Sequence, residues 1–152
     1  MRAWIGIDVG AKGAACLIGE DGVHDVRPFV DVSASAALLV EWMAGHKIEL
    51  AAIEQAAARP AQGRCSVFSF GTRFGEWVGL LSGLAVPFVI VPPQRWQKAA
   101  GLLPSDGTTK ERSLAAARRR WPGVDLHRKA DDGKADALHL AAFAKATSQG
   151  GT

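Results

Sequence analysis

Cysteine is scarce in this chain. Of 152 residues only Cys16 and Cys65 are cysteines, too few for a disulfide framework and not at metal-motif spacing. Reduced thiols in a cytosolic protein are the expectation. Long apolar runs are also lacking. The longest, "LAVPFVIVPP", is too short to span a bilayer and is broken by proline, so no membrane partner is expected. The chain opens on an apolar strand pattern, without the features of a signal peptide. No internal repeat or low-complexity tract is present. Excess charge of either sign is small, at +3 overall.

That small net charge is unevenly placed. Residues 1–93 hold 7 Lys/Arg and 9 Asp/Glu, whereas residues 94–134 hold 10 Lys/Arg and 5 Asp/Glu. A basic block beside acidic residues suits a polyanionic partner, although a solvated helix face would look similar. The 48% hydrophobic content is that of a globular chain, and the length suits one domain. A single domain over 1–147 with a short flexible tail at 148–152 is expected.

Periodicity and turn residues give the element order. "RAWIGIDVG", "AACLIG" and "VHDVRPFV" read as three strands joined by short turns, an antiparallel meander. A helix over "SASAALLVEWMAGH" follows, with Ser33 as its expected cap and a stripe of Leu38, Leu39, Trp42 and Met43. "IELAAIE" is a fourth strand, "QAAARPAQGR" a loop, Ser66 to Leu81 a helix, and "VPFVIV" a fifth strand. Helices around Trp96, over "KERSLAAARRRW" with Thr109 as cap, and over "DDGKADALHLAAFAKA" complete the chain. The order β-β-β-α-β-α-β-α-α-α predicts an α/β fold. Its five-stranded mixed sheet would have three antiparallel strands, then parallel crossovers, flanked by helices.

Acidic residues stand where a core should reject them. Asp8 ends the first strand and Glu54 ends the fourth, and neither place suits an unpaired carboxylate. Strand ends are where open α/β sheets hold ligands. Asp132 and Asp136 lie one helical turn apart and repel each other unless something positive offsets them. Asp131 is the natural N-cap of that helix. Oxygen donors converging without histidine or cysteine suit Mg²⁺ or Mn²⁺, and a pair of such ions is the apparatus of phosphodiester hydrolysis.

These segments resemble the RuvC-like Holliday junction resolvases, in particular their phage and chloroplast branch. The resemblance runs through "IGIDVGAKGAACLI", "AAIEQ", "FSFGTRFGEWVGLL", "VIVPPQRWQKAAGL", "KERSLAAARRRWPG" and "DDGKADALHLAAFA", in order and at compatible spacing. It implies a ribonuclease H-like fold, a homodimer, and a structure-selective endonuclease that makes paired, metal-dependent nicks across a four-way DNA junction. No organic cofactor is implied. Two Mg²⁺ ions per active site are implied, with Mn²⁺ as a substitute, held by Asp8, Glu54, Asp132 and Asp136. The setting implied is the cytoplasm of a bacterial or phage-infected cell. Many bacterial members space the last acidic pair by three residues, and some place histidine first. Here the spacing is four and Asp131 is acidic too, so Asp131 and Asp132 both stand as third ligand, with helical geometry favouring Asp132. Lys110 matches a basic residue that assists at the scissile phosphate.

The resemblance also assigns DNA contacts. The loop after Glu54 would enter the junction centre with Gln55, Arg59, Gln62 and Arg64, while Lys12 and Arg118 would meet phosphates. Gly71, Gly75 and Gly79 recur every four residues, which a helix tolerates poorly. They suit close packing either on the chain's own sheet or on a partner helix in the dimer. Trp96 reads as a core anchor, and His139 as a packed or partnered core histidine or, three residues past Asp136, as a group supporting the acids from behind. The rival functions are another ribonuclease H-like nuclease, acting on RNA–DNA hybrids or flaps, and a non-catalytic junction-binding protein.

Overall fold

Side chains of a strand alternate between two faces, and here both faces are covered by helices. In the computed structural model, which describes residues 1–55, 63–103 and 108–151, β1 (Arg2–Asp8), β2 (Ala14–Gly19) and β3 (Val23–Pro28) form the antiparallel meander. The strand β4 (Lys47–Glu54) runs parallel to β1 on its other side, and β5 (Phe88–Val91) runs parallel to β4. The sheet order is β3-β2-β1-β4-β5, a mixed five-stranded sheet as the sequence predicts. Three strands are shorter than expected: β1 stops at Asp8, not Gly10, and two others are cut at a proline. β3 stops at Pro28, not Val30, and β5 begins at Phe88, just past Pro87. Proline has no N–H to give a ladder.

Helices α1 (Val32–Gly45) and α2 (Arg64–Gly83) cover one face. Ala3, Ile5 and Ile7 of β1 pack there with Leu39 and Trp42 of α1 and Trp77 and Leu81 of α2. Helices α3 (Pro93–Ala99), α4 (Thr109–Arg120) and α5 (Asp132–Ser148) cover the other. Trp4, Ala52, Val91 and Trp96 pack there with Leu138 and Leu140. By alternation Asp8 shares the parity of Trp4, and Glu54 that of Ala52. Both acids therefore belong to the α5 face, each following a residue of the parallel pair Ile7 and Ile53.

What lets α5 reach the sheet is a glycine. A Cβ at Gly6 would lie 2.0 Å from the Ala137 carbonyl oxygen and 2.2 Å from the Ala141 nitrogen. Any side chain would push the helix off β1. α5 is accordingly rich in buried alanine (Ala135, Ala137, Ala141 and Ala144), and it is apolar on most sides, as a central helix must be.

The helix ends differ from the expected ones. Asp31, not Ser33, caps α1 by accepting from the Ala34 N–H at 2.7 Å. Thr108, not Thr109, caps α4 by accepting from the Glu111 N–H at 3.3 Å. Such a cap contributes about 1 kcal/mol. In the α1 stripe Leu39 and Trp42 are buried, but Met43 is exposed. α2 extends beyond the expected 66–81 at both ends. α5 runs to Ser148, whose hydroxyl accepts from Trp4 Nε1 at 2.6 Å. The helix therefore reaches one residue past 147.

Candidate metal and nucleic-acid site

The N-terminal end of α5 lies against the turn between β1 and β2. A Cβ at Gly133 would come within 2.0 Å of the Lys12 carbonyl oxygen and 3.0 Å of Asp8 Oδ2. This contact places the first turns of α5 beside Asp8. The same turn is held from α2: Arg73 donates to the Gly10 carbonyl at 2.7 Å, with its guanidinium 4.6 Å over the Phe29 ring. The sequence shows Arg73 only as a charge. Its anchoring role needs the turn and the helix to be brought together.

Four carboxylates meet electrostatically at this corner. Asp8 is 7% exposed. Burial, then the charge of Glu54, then that of Asp132, push its pKa up to about 7, against the lowering effect of the Gly10 N–H and Lys110. The Gly10 N–H donates to Asp8 Oδ1 at 3.3 Å. Asp136 is raised well above the carboxylate range, first by burial and then by Asp8, Glu54 and Asp132, with Ser113 opposing. Repulsion of this kind is relieved by protons or by a cation.

Each carboxylate has its own support. Trp96 Nε1 donates to Glu54 Oε2 at 2.8 Å. Ser113 Oγ donates to Asp136 Oδ1. Lys110 Nζ lies 3.2 Å from Asp132 Oδ2, at the end of a side chain that is 78% exposed. Trp96 is thus a core anchor, as the sequence suggests, and a donor to the cluster as well. Ser113 carries no sequence signal, because serine within a basic helix is commonplace.

Asp131 goes elsewhere. It is 1% exposed, and its carboxylate accepts from the Arg128 backbone N–H at 2.9 Å and the Arg128 guanidinium at 3.0 Å, with Lys134 Nζ at 3.2 Å. Burial raises its pKa, but the bonds from Arg128 and Lys134 outweigh that and hold it at about 2. It makes no side-chain cap bond to α5, contrary to the expectation of a capping aspartate. It staples the 3-10 turn Lys129–Asp131 instead, and Asp132 is the neighbour that joins Asp8 and Asp136.

The described residues assigned to DNA are all exposed. Lys12 is exposed in the β1–β2 turn, Gln55 directly after Glu54, and Arg64 at the start of α2. Arg59 and Gln62 lie outside the described residues. Arg118 is exposed, but its Nε donates to the Leu126 carbonyl at 2.7 Å, which ties down the chain after α4. Arg120 lies 4.7 Å over the Trp121 ring. Gly71, Gly75 and Gly79 have open space beside them: among the described residues, no neighbouring atom lies within 4 Å of where a Cβ would stand. The ridge therefore faces away from its own sheet, against which Trp77 and Leu81 pack instead. Phe68, on the same helix, is 77% exposed.

His139 is buried and donates through Nε2 to the Ser113 carbonyl at 3.0 Å. A carbonyl only accepts, so the proton is on Nε2. Burial, then Arg120, lower its pKa despite that bond, so the ring is neutral. Among the described residues, no three His, Cys, Asp or Glu side chains stand in ligand positions for one ion. The four acids form a coupled cluster and not a closed coordination shell.

No protein-family model matches the chain. Among solved structures, Thermus thermophilus RuvC in complex with a Holliday junction substrate superposes with a TM-score of 0.74 at 16% identity, covering 100% of this chain and 98% of that one. A second Thermus thermophilus RuvC structure gives 0.69 at 18%, covering 98% and 97%. The fold is ribonuclease H-like, in the form that RuvC takes. Among curated proteins, the chloroplastic Holliday junction resolvase MOC1 of Chlamydomonas reinhardtii is 37% identical over 87 residues. That alignment covers 56% of this chain but only 10% of the length of MOC1.

Proposed function

We propose that this chain is a structure-selective endonuclease that resolves four-way DNA junctions by paired, cation-dependent phosphodiester hydrolysis. The observation that carries this reading is the mutual charge coupling of Asp8, Glu54, Asp132 and Asp136, brought from β1, β4 and α5 to one corner with Lys110 beside them. The likeness to RuvC and to MOC1 supports a junction as the substrate.

The residues fit a hard divalent cation. All four donors are carboxylates, and burial, then their mutual repulsion, raises Asp8 and Asp136 towards neutrality until positive charge arrives. Mg²⁺ keeps several waters and needs only one or two direct carboxylates, so an open cluster suits it better than a closed cage. Asp8 and Glu54 from the sheet and Asp132 and Asp136 from α5 would hold two such ions, with Mn²⁺ as a substitute. When bound, the ions supply the Lewis acidity that attack at a phosphodiester needs.

The chain's own groups do the rest. Trp96 and Ser113 aim one carboxylate each. Lys110, on its long exposed arm, leaves Asp132 to meet the charge that develops on the phosphate oxygens. Lys12, Gln55 and Arg64 are exposed and, together with Arg59 and Gln62, would bind backbone or bases. The outward ridge of Gly71, Gly75 and Gly79, with exposed Phe68 on the same helix, would pair two copies, so that two sites act on two strands of one junction. No helix among the described residues is long and apolar enough to cross a membrane. Free Cys16 and Cys65 suit a reducing cytoplasm.

The test is a labelled four-way junction incubated with the protein, with and without Mg²⁺, and the nicks mapped on every strand. Symmetric nicks near the branch point are expected only with the ion. Equal or faster cutting of an RNA–DNA hybrid in the same assay would favour the rival nuclease, and binding without cutting the non-catalytic one.

A further inference from the structure

We propose that His139 is a positioning residue that couples the two halves of the carboxylate cluster, through Ser113 to Asp136 and through Trp96 to Glu54. The proposal rests on the cation-binding reading above. On one side, His139 Nε2 donates to the Ser113 carbonyl at 3.0 Å, and the hydroxyl of the same serine donates to Asp136. On the other, the imidazole stacks on the Trp96 indole, with centroids 6.1 Å apart and planes within 17°. That indole donates to Glu54 at 2.8 Å. Trp121 closes the back of the ring, its centroid at 5.3 Å and tilted by 59°.

Packing alone does not explain a histidine here. The ring is 3% exposed, and its Nδ1 has no hydrogen-bond partner among the described residues. A buried polar atom left unpaired is destabilising. Leucine or phenylalanine would fill the same space between two tryptophans at no such cost. What an apolar side chain lacks is a donor for the Ser113 carbonyl. With that donor, α4 is held so that the Ser113 hydroxyl faces Asp136. The flat imidazole also stacks along one face of Trp96, the donor to Glu54. Groups behind metal-binding side chains set ligand orientation, and changing them weakens metal affinity.

The test is Mn²⁺ binding to the DNA-free protein, read by the paramagnetic resonance signal of free ion, beside melting temperature. His139→Phe keeps a flat ring but removes the donor, and is expected to bind Mn²⁺ roughly tenfold more weakly. His139→Gln restores an N–H near the Nε2 position and should return affinity to within about twofold of wild type. Ser113→Ala breaks the same relay at its far end, so the H139F/S113A double variant should be no weaker than either single one. Should H139F lose its fold, H139Q and S113A carry the test with those same expectations. Wild-type affinity in folded H139F or in S113A, or additive losses in the double variant, would overturn the proposal while wild type still binds Mn²⁺. Wild type that binds no Mn²⁺ overturns the cation reading itself, and this inference with it.

Discussion

Trp96 Nε1 donates to Glu54 Oε2 at 2.8 Å across 42 residues of sequence. One residue thus fills the core beneath β5 and aims an acid at its rim. Trp96→Phe keeps most of the buried ring and removes the donor. Junction nicking is expected to need roughly tenfold more Mg²⁺. The check is the Mg²⁺ dependence of single-turnover nicking. An unchanged midpoint would make the bond to Glu54 incidental.

Asp8 stands at about 7 in the folded protein against an ordinary 3.8. Between those values the folded state keeps a proton that the unfolded chain has released. Stability of the metal-free protein therefore falls as pH rises through that window, by up to roughly 4 kcal/mol from Asp8. Asp136 shifts in the same direction. Melting temperature without metal should drop as pH rises from about 4 to about 7, and Mg²⁺ should recover it most at the upper end. Asp8→Asn should flatten the profile, abolish nicking and leave junction binding intact. A profile as steep in the variant as in wild type would assign the titration to another group.

Asp131 and Asp132 are neighbours with opposite expected phenotypes. Asp131→Ala removes the acceptor of Arg128 and Lys134 from a buried site and should lower the melting temperature by roughly 5 °C. Because folding holds the Asp131 pKa down, its contribution is present above pH 3.8 and is lost as pH falls towards about 2. Asp132→Asn should stop nicking and shift melting by only about 1 °C. Melting curves and nicking rates on the same preparations separate the two. Swapped phenotypes would mean that Asp131 is the ligand.

Lys110 is exposed, and its Nζ lies 3.2 Å from Asp132 Oδ2. Lys110→Ala should slow nicking by about a hundredfold with Mn²⁺ affinity of the free protein unchanged. Loss of metal affinity instead would place Lys110 in holding the carboxylates apart, not in serving the phosphate.

Much of this could be read along the chain. The apolar runs in "RAWIGIDVG" and "IELAAIE" placed two strands, with Asp8 and Glu54 near their ends. Turn residues separated the meander, and the spacing of Asp132 and Asp136 put both on one side of a helix. The errors were local. Asp31 and Thr108 took caps expected one or two residues later, because helix ends depend on where a neighbouring element lets the chain turn.

By itself the sequence determined the order of elements, the acids at their ends and the basic stretch that follows. Those depend on backbone sterics and short-range periodicity, which are properties of neighbouring residues. Only the tertiary structure decided that Asp132 and not Asp131 joins Asp8, that the glycine ridge of α2 faces outward, and that Trp96, Ser113 and His139 stand behind the acids. The partners in those contacts are tens of residues apart in sequence. They meet because Gly6 and Gly133 let α5 settle directly on β1 and its turn, and packing of that kind has no periodic mark along the chain.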